Sequence, residues 1–266
     1  MTYRSTRMLR GLFCGAMACL ITTSAMAQDM SGKDLRKAKL EGSKLRGAKM
    51  ERADMREVKL ERADMRDAKL ESANMERINL KNADLRGAKL GRAKLREANF
   101  EGADLGKVSF RDADAPKANF RNAKLQGSDF ENARLEGADF QGAKLENTSF
   151  RNARLDRANF YNVHMERTNL KGARLDRTNF KGARLGRSDM RDVRADKADF
   201  QDARLESVDF QGARLDGVNF KGAVMRGTNL KGAKIDRAEW QGVDLPGAIW
   251  VAGKKCEDKT CGGVAK

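Results

Sequence analysis

From Leu35 to Trp250, every fifth residue is large and apolar. This frame has 44 positions, and 42 of them hold Leu, Phe, Met, Ile or Trp; Ala115 and Ala195 are the exceptions. A second column lies two residues earlier, from Ala38, Ser43, Ala48, Ala53 and Val58 on to Ala248. There 43 of 44 positions are Ala, Ser, Thr, Val or Ile, with Lys33 the lone departure. The remaining three positions of each unit are mostly charged, amide-bearing or Gly. Neither regular element accommodates this spacing. Five residues advance an α-helix by about 500°, so the large side chains would spiral around it instead of forming a stripe. In a continuous strand, an odd spacing sends alternate large residues to opposite faces. A chain that turns one corner per unit aims all of them at a single axis. The expectation is a solenoid whose coils stack through backbone hydrogen bonds at about 4.8 Å.

Units such as Ala138-Asp139-Phe140-Gln141-Gly142 and Ala173-Arg174-Leu175-Asp176-Arg177 resemble the pentapeptide-repeat family, over residues 34 to about 252. The resemblance implies an all-β fold, a right-handed quadrilateral β-helix with 20 residues per coil. It further implies about 11 coils and a rod of roughly 50 Å. No α-helix longer than two turns is expected after residue 33, and backbone pairing should join residues 20 apart. On that register one core column reads Leu40, Leu60, Leu80, Phe100 and onward through Phe220 to Trp240. The column two units away mixes Phe, Leu and Met from Met50 to Trp250, and the other two hold almost only Leu and Met. Rings one coil apart are expected to stack. Ala115 and Ala195 share one Leu/Met column; together with Pro116 they read as core adjustment in preference to a ligand pocket.

The ends read differently. Arg4, Arg7 and Arg10, the apolar run Gly11 to Ile21, and Ala25-Met26-Ala27 have the order of a cleaved secretory signal. The apolar run is shorter than the about 20 residues of a membrane span. An uncleaved anchor is one alternative. A lipoprotein acylated at Cys19 is another, although Ala16-Met17-Ala18 lacks the usual leucine. The chain therefore divides into a signal peptide (1–27), a short lead (28–33), the repeat (34–252) and a tail (253–266). The expected location is periplasmic or secreted, with no membrane span after cleavage. Cleavage leaves two cysteines, Cys256 and Cys261, which suggest a small disulfide loop in an oxidising compartment; a pair of free thiols is the alternative. Gly247-Ala248-Ile249-Trp250 followed by a cysteine pair resembles closing segments of the family. Trp240, Trp250 and the Cys256–Cys261 loop are available to cover the C-terminal edge. The N-terminal coil looks barer, and a homodimer would be expected to use it.

The outward positions are strongly basic: 54 Lys and Arg stand against 38 Asp and Glu, a formal net charge of +16. The clearest column is Arg134, Arg154, Arg174, Arg194, Arg214 and Lys234, matched two residues on by Glu136, Asp156, Asp176, Asp196, Asp216 and Asp236. Like charges about 4.8 Å apart repel by roughly 1 kcal/mol even in water, so this reads first as a salt-bridged ladder. Arg157, Arg177, Lys197 and Arg237 add uncompensated charge beside it and are the candidate contacts for an anionic polymer. A second column, Lys124, Lys144, His164, Arg184 and Arg204, has only Glu146, Glu166 and Glu206 alongside. His164, the single histidine, reads as a rung of that ladder in preference to a catalytic base. Asn79, Asn99, Asn119, Asn159, Asn179 and Asn219 read as amides bonding along the stack.

No phosphate-binding loop, dinucleotide turn or nucleophile elbow is present in the sequence. On a regular lattice, any two carboxylates fall at some catalytic-looking spacing. No catalytic residue, cofactor or metal site is assigned. The favoured expectation is a non-enzymatic structural or interaction scaffold of the bacterial cell envelope whose partner is an unknown protein. The alternative is a weak, salt-sensitive binder of anionic envelope polymer such as lipopolysaccharide, acidic polysaccharide or nucleic acid, without specific DNA recognition. Some members of the family mimic DNA and inhibit type II topoisomerases. That role needs an acidic surface and a cytosolic target, and this basic chain with its export signal fits neither.

Overall fold

The computed structural model describes residues 29–258 and 261; the signal segment 1–27 and Gln28 lie outside the described residues. Parallel bridges join residues 20 apart, in steps that run from Asp29–Lys49 to Asn229–Ile249. Successive bridges fall five residues apart along the chain, so each coil has four sides. Sides I to IV are named here by the core columns that begin at Leu35, Leu40, Leu45 and Met50. No α-helix occurs among the described residues.

The unit Asn159–Val163 shows where the backbone donors go. Asn159 donates back to the carbonyl of Ala138 (2.9 Å), and Phe160 donates forward to Asn179 (2.7 Å). Tyr161 donates to the Oδ1 of Asn159 (3.2 Å). Asn162 donates forward to Lys181 (3.0 Å), and Val163 closes the turn on Phe160 (3.2 Å). Three of the five donors thus tie neighbouring coils, and two shape the corner. The small column follows from this geometry: the residue there is buried right after the turn, where little side-chain volume fits. At Ser128, Thr148, Thr178, Ser188 and Thr228 the hydroxyl donates to a core carbonyl of the preceding coil, as Thr178 does to Leu155 (2.9 Å) and Thr228 to Leu205 (2.8 Å), while Thr168 donates to Met165 of its own turn. No buried hydroxyl of that kind is left as a penalty.

The core is a herringbone. From Phe100 to Phe220 the side II rings stack at centroid spacings of 4.7–5.5 Å. On side IV, Phe110, Phe130 and Phe150 stack at 4.5 and 5.0 Å. Rings of the two sides meet edge to face, with interplanar angles of 76–88°. Both arrangements match the ring quadrupole and add to the area buried. Ala115 and Ala195 are buried in the same core. Pro116 lines a recess of about 460 Å³ that opens on the outer face of side I with Arg157 and Arg177, and Ala115 does not line it.

The stack begins earlier than the frame starting at residue 34. Met30 is buried and donates to Lys49 (2.7 Å), and Asp29 bridges to Lys49. Residues 29–33 are therefore part of the first coil and not a lead. At the other end the tail folds back: Lys255 bridges antiparallel to Ile249. Gly247 donates to Cys256 (2.8 Å), Cys256 donates to Ala248 (2.7 Å), and Trp250 donates to Lys254 (2.7 Å). A disulfide joins Cys256 to Cys261, and Cys256 is buried in the same core cluster as Trp240 and Trp250. This hairpin takes up donors on one side of the last coil that a further coil would otherwise satisfy.

Candidate functional site

Every outward side chain is placed by the corner. From Met30 to Leu245 the second residue after each core position, Lys37 apart, has φ in the left-handed region, near +60°, whether it is Gly or not. Arg157, Arg177, Lys197 and Arg237 occupy such corners on side I, with φ of +61°, +58°, +60° and +57°. An L-residue with a Cβ carries a cost of roughly 1–2 kcal/mol there. All four are exposed, and none forms an ion pair among the described residues. Arg157, Arg177 and Lys197 follow one another in successive coils. Gly217 separates them from Arg237, so three of the four candidate contacts form a continuous row.

Beside them the expected ladder forms in part and with a different connectivity; among the described residues Arg154 and Lys234 form no ion pair. Arg174 reaches Asp156 (3.2 Å), Arg194 reaches Asp176 (2.9 Å) and Arg214 reaches Asp196 (3.1 Å), each a carboxylate of the preceding coil. The carboxylate of the same unit is farther: 3.3 Å for Arg194–Asp196 and 3.5 Å for Arg214–Asp216. The aspartates also accept backbone donors, from Asp176 N–H to Asp156 (3.2 Å) and from Asp196 N–H to Asp176 (3.1 Å). With Arg before the core residue, the corner N–H has no side-chain acceptor in its own unit. The aspartate one coil back supplies it.

The sequence reading missed the reverse order, Asp before the core residue and Arg after it. Asp34–Arg36 and Asp54–Arg56 on side I, Asp64–Arg66 and Asp84–Arg86 on side III, and Asp189–Arg191 on side IV are bidentate clips with N–O distances of 2.6–2.9 Å. The hydrogen bonds from Arg66, Arg86 and Arg191 hold the Asp64, Asp84 and Asp189 carboxyls below the usual carboxylate range, against the opposing effect of partial burial. The signal was an Asp-Leu/Met-Arg triplet, legible once the corner N–H is recognised as needing an acceptor.

Side II carries the amide ladder. Asn99 donates to Asn79 (3.2 Å), Asn119 to Asn99 (3.0 Å) and Asn179 to Asn159 (3.1 Å). Asn159 and Asn219 donate to aspartates, Asp139 and Asp199 (both 3.0 Å). His164 is exposed on side III, bridged between Lys144 and Arg184. No group of three or more His, Cys, Asp or Glu residues suited to a metal ion occurs among the described residues.

A four-sided β-solenoid with charged ladders on a close-packed apolar core defines a class of repeat protein. The chain belongs to the pentapeptide-repeat family: "Pentapeptide repeat region" matches residues 88–160 and 163–240, and "Pentapeptide repeats (8 copies)" matches 34–71 and 63–102. The fold is the family's right-handed quadrilateral β-helix. Among solved structures the chain is similar to HetL, a pentapeptide-repeat protein involved in heterocyst differentiation regulation in the cyanobacterium Nostoc. The identity is 28%, the TM-score 0.70, and the likeness covers 85% of this chain and 92% of HetL. QnrB1, a plasmid-mediated fluoroquinolone resistance protein, matches at 20% identity and a TM-score of 0.49 over 82% of this chain and 92% of its own. No curated protein matches the sequence.

Proposed function

We propose that the protein is a non-enzymatic scaffold of the cell envelope, exported to the periplasm or beyond and offering its flat charged sides to a protein partner. The observation that carries this reading is the outward lattice itself. Arg174, Arg194 and Arg214 contact carboxylates of adjacent coils, so side I presents charges of both signs at the spacing of the coils. A repeat rod held coil to coil keeps such a pattern in register over its length. N-terminal sequencing of the envelope fraction should find the chain starting at Gln28. Affinity capture from that fraction should retain a partner that is lost when Asp156, Asp176 and Asp196 are changed to Asn. A cytosolic, uncleaved chain overturns the proposal.

The second reading is weak, salt-sensitive binding of anionic polymer, favoured by the unpaired row Arg157, Arg177 and Lys197 at exposed corners. Screening over about 8 Å at physiological salt limits it to modest affinity. Should the protein pair with itself, the first coil from Asp29 is the edge available, since the folded-back tail occupies part of the other.

A further inference from the structure

On side III the ladder is interrupted. Over four successive coils the position after the core residue is Glu146, Glu166, Gly186 and Glu206, and Gly106 is a second glycine further up the same column. Gly186 is not at a corner requiring left-handed backbone: a Cβ built there meets only the Glu206 carbonyl oxygen at an ordinary 3.6 Å. Neither φ nor crowding asks for glycine. Its effect is to remove the carboxylate beside Arg184 and to open a recess of about 440 Å³ walled by Arg167, Arg184, Arg187 and Arg204.

These arginines differ from Arg174, Arg194 and Arg214 of side I, which are paired with carboxylates. Among the described residues Arg167, Arg184 and Arg187 form no ion pair, whereas Arg204 lies 3.6 Å from Glu206. Arg167 and Arg187 stand at corners of adjacent coils with φ of +56° and +61°, while the same column uses Gly127, Gly227 and Gly247 elsewhere. Two guanidiniums are thus held one coil apart in a backbone conformation that glycine adopts freely, without an internal counter-charge. Residues 174–193 carry six Lys and Arg against three Asp, so the recess sits in a basic stretch of the rod. Glu166 and Glu206 line the recess as well, so four arginines against two carboxylates leave it a formal charge of +2.

We propose that this recess is a docking site for a tetrahedral oxyanion, the phosphate or sulfate monoester of an envelope molecule, gripped by Arg167, Arg184 and Arg187 in the gap left by Gly186. Three planar guanidiniums with forked donors suit the three terminal oxygens of such a group. The site is separate from the side I row and stands or falls without it.

Calorimetric titration of the disulfide-bonded chain at low salt tests it, with inorganic pyrophosphate in one arm and a heparin tetrasaccharide in the other. Saturable one-to-one binding is expected in at least one arm, and the tighter arm identifies the source as a small anion or a sulfated polymer end. Gly186→Glu restores the carboxylate of neighbouring coils and should weaken binding about tenfold or more, the equivalent of one lost charge contact. Gly186→Ala adds only a methyl, which has room there, and should bind as wild type. Arg187→Asn, a residue at home in left-handed backbone, should weaken binding while circular dichroism stays unchanged. Replacing Arg157, Arg177, Lys197 and Arg237 with Gln should leave pyrophosphate binding intact. Absence of saturation in both arms at millimolar ligand overturns the proposal, as does Gly186→Glu binding at wild-type strength.

Discussion

At the corners a single atom decides what is tolerated. Gly142 sits at one such corner. Its φ is +71°, and a Cβ there would lie 2.3 Å from Asn122 Oδ1. The amide of one coil leans over the glycine of the next, as Asn82 does over Gly102 and Asn162 over Gly182. Gly142→Asp is therefore expected to destabilise by about 1–2 kcal/mol from the backbone alone, read as a lower urea midpoint. Much of any further loss should disappear in an Asn122→Gly background. Inside the core the effect is larger. Phe160 is fully buried, stacked on Phe140 (4.7 Å) and Phe180 (5.0 Å), with Phe150 edge-on. Phe160→Asp places an unpaired carboxylate in that column and should cost several kcal/mol. A variant melting within a few degrees of wild type would refute the stacked core.

The elements of this fold are the corner, the clip and the cap. The clips make stability depend on pH with a definite sign. Because Asp64, Asp84 and Asp189 have carboxyls lowered by their arginine partners, their contribution is fully present above the unfolded value near 3.9. It is lost as pH falls from there through the folded values. The urea midpoint should be level from pH 7 to about 5 and then fall towards pH 3. Replacing Arg66, Arg86 and Arg191 with Gln should flatten that fall; an unchanged slope would show that the clips do not contribute. At the cap, Cys261→Ser opens a loop of about six residues, for which the chain-entropy relation gives about 2 kcal/mol. In a solenoid this loss stays near the end. Hydrogen exchange should quicken at the Gly247 and Trp250 amides, whose acceptors are Cys256 and Lys254, and leave Phe160 unaffected.

Over the whole molecule the charge of +16 is neutralised locally by the ladders and clips in part, while many Lys and Arg among the described residues, the side I row included, form no ion pair. If the side I row contributes to polymer binding, the Gln variant of Arg157, Arg177, Lys197 and Arg237 should elute from heparin at lower salt than wild type, with an unchanged far-ultraviolet spectrum. Elution at the same salt removes the polymer reading and leaves the protein scaffold. Asn159→Gln would make a poor neutral control. Asn159 accepts from Tyr161 and Asn179 and donates to Asp139, so a longer side chain disturbs the stack that holds side II straight.

Core, coil and class were legible in the sequence because a five-residue period can be satisfied by one geometry: each unit repeats the same choice of large residue inside, small residue at the turn and polar residues outside. The columns Leu35 to Ile235 and Leu40 to Trp240 could be aligned as soon as the coil length was supplied. Charge pairing across coils was less accessible. Sequence neighbours suggest that Arg194 pairs with Asp196, yet the shorter contact is to Asp176, eighteen residues away, because stacking brings that carboxylate under the guanidinium. The same stacking turns Gly186 from an unremarkable small residue into a gap among arginines. A period specifies what faces inward, since burial penalises every wrong residue alike. What meets on the outside depends on the left-handed corner and the stagger between coils, and these exist only once the chain is folded.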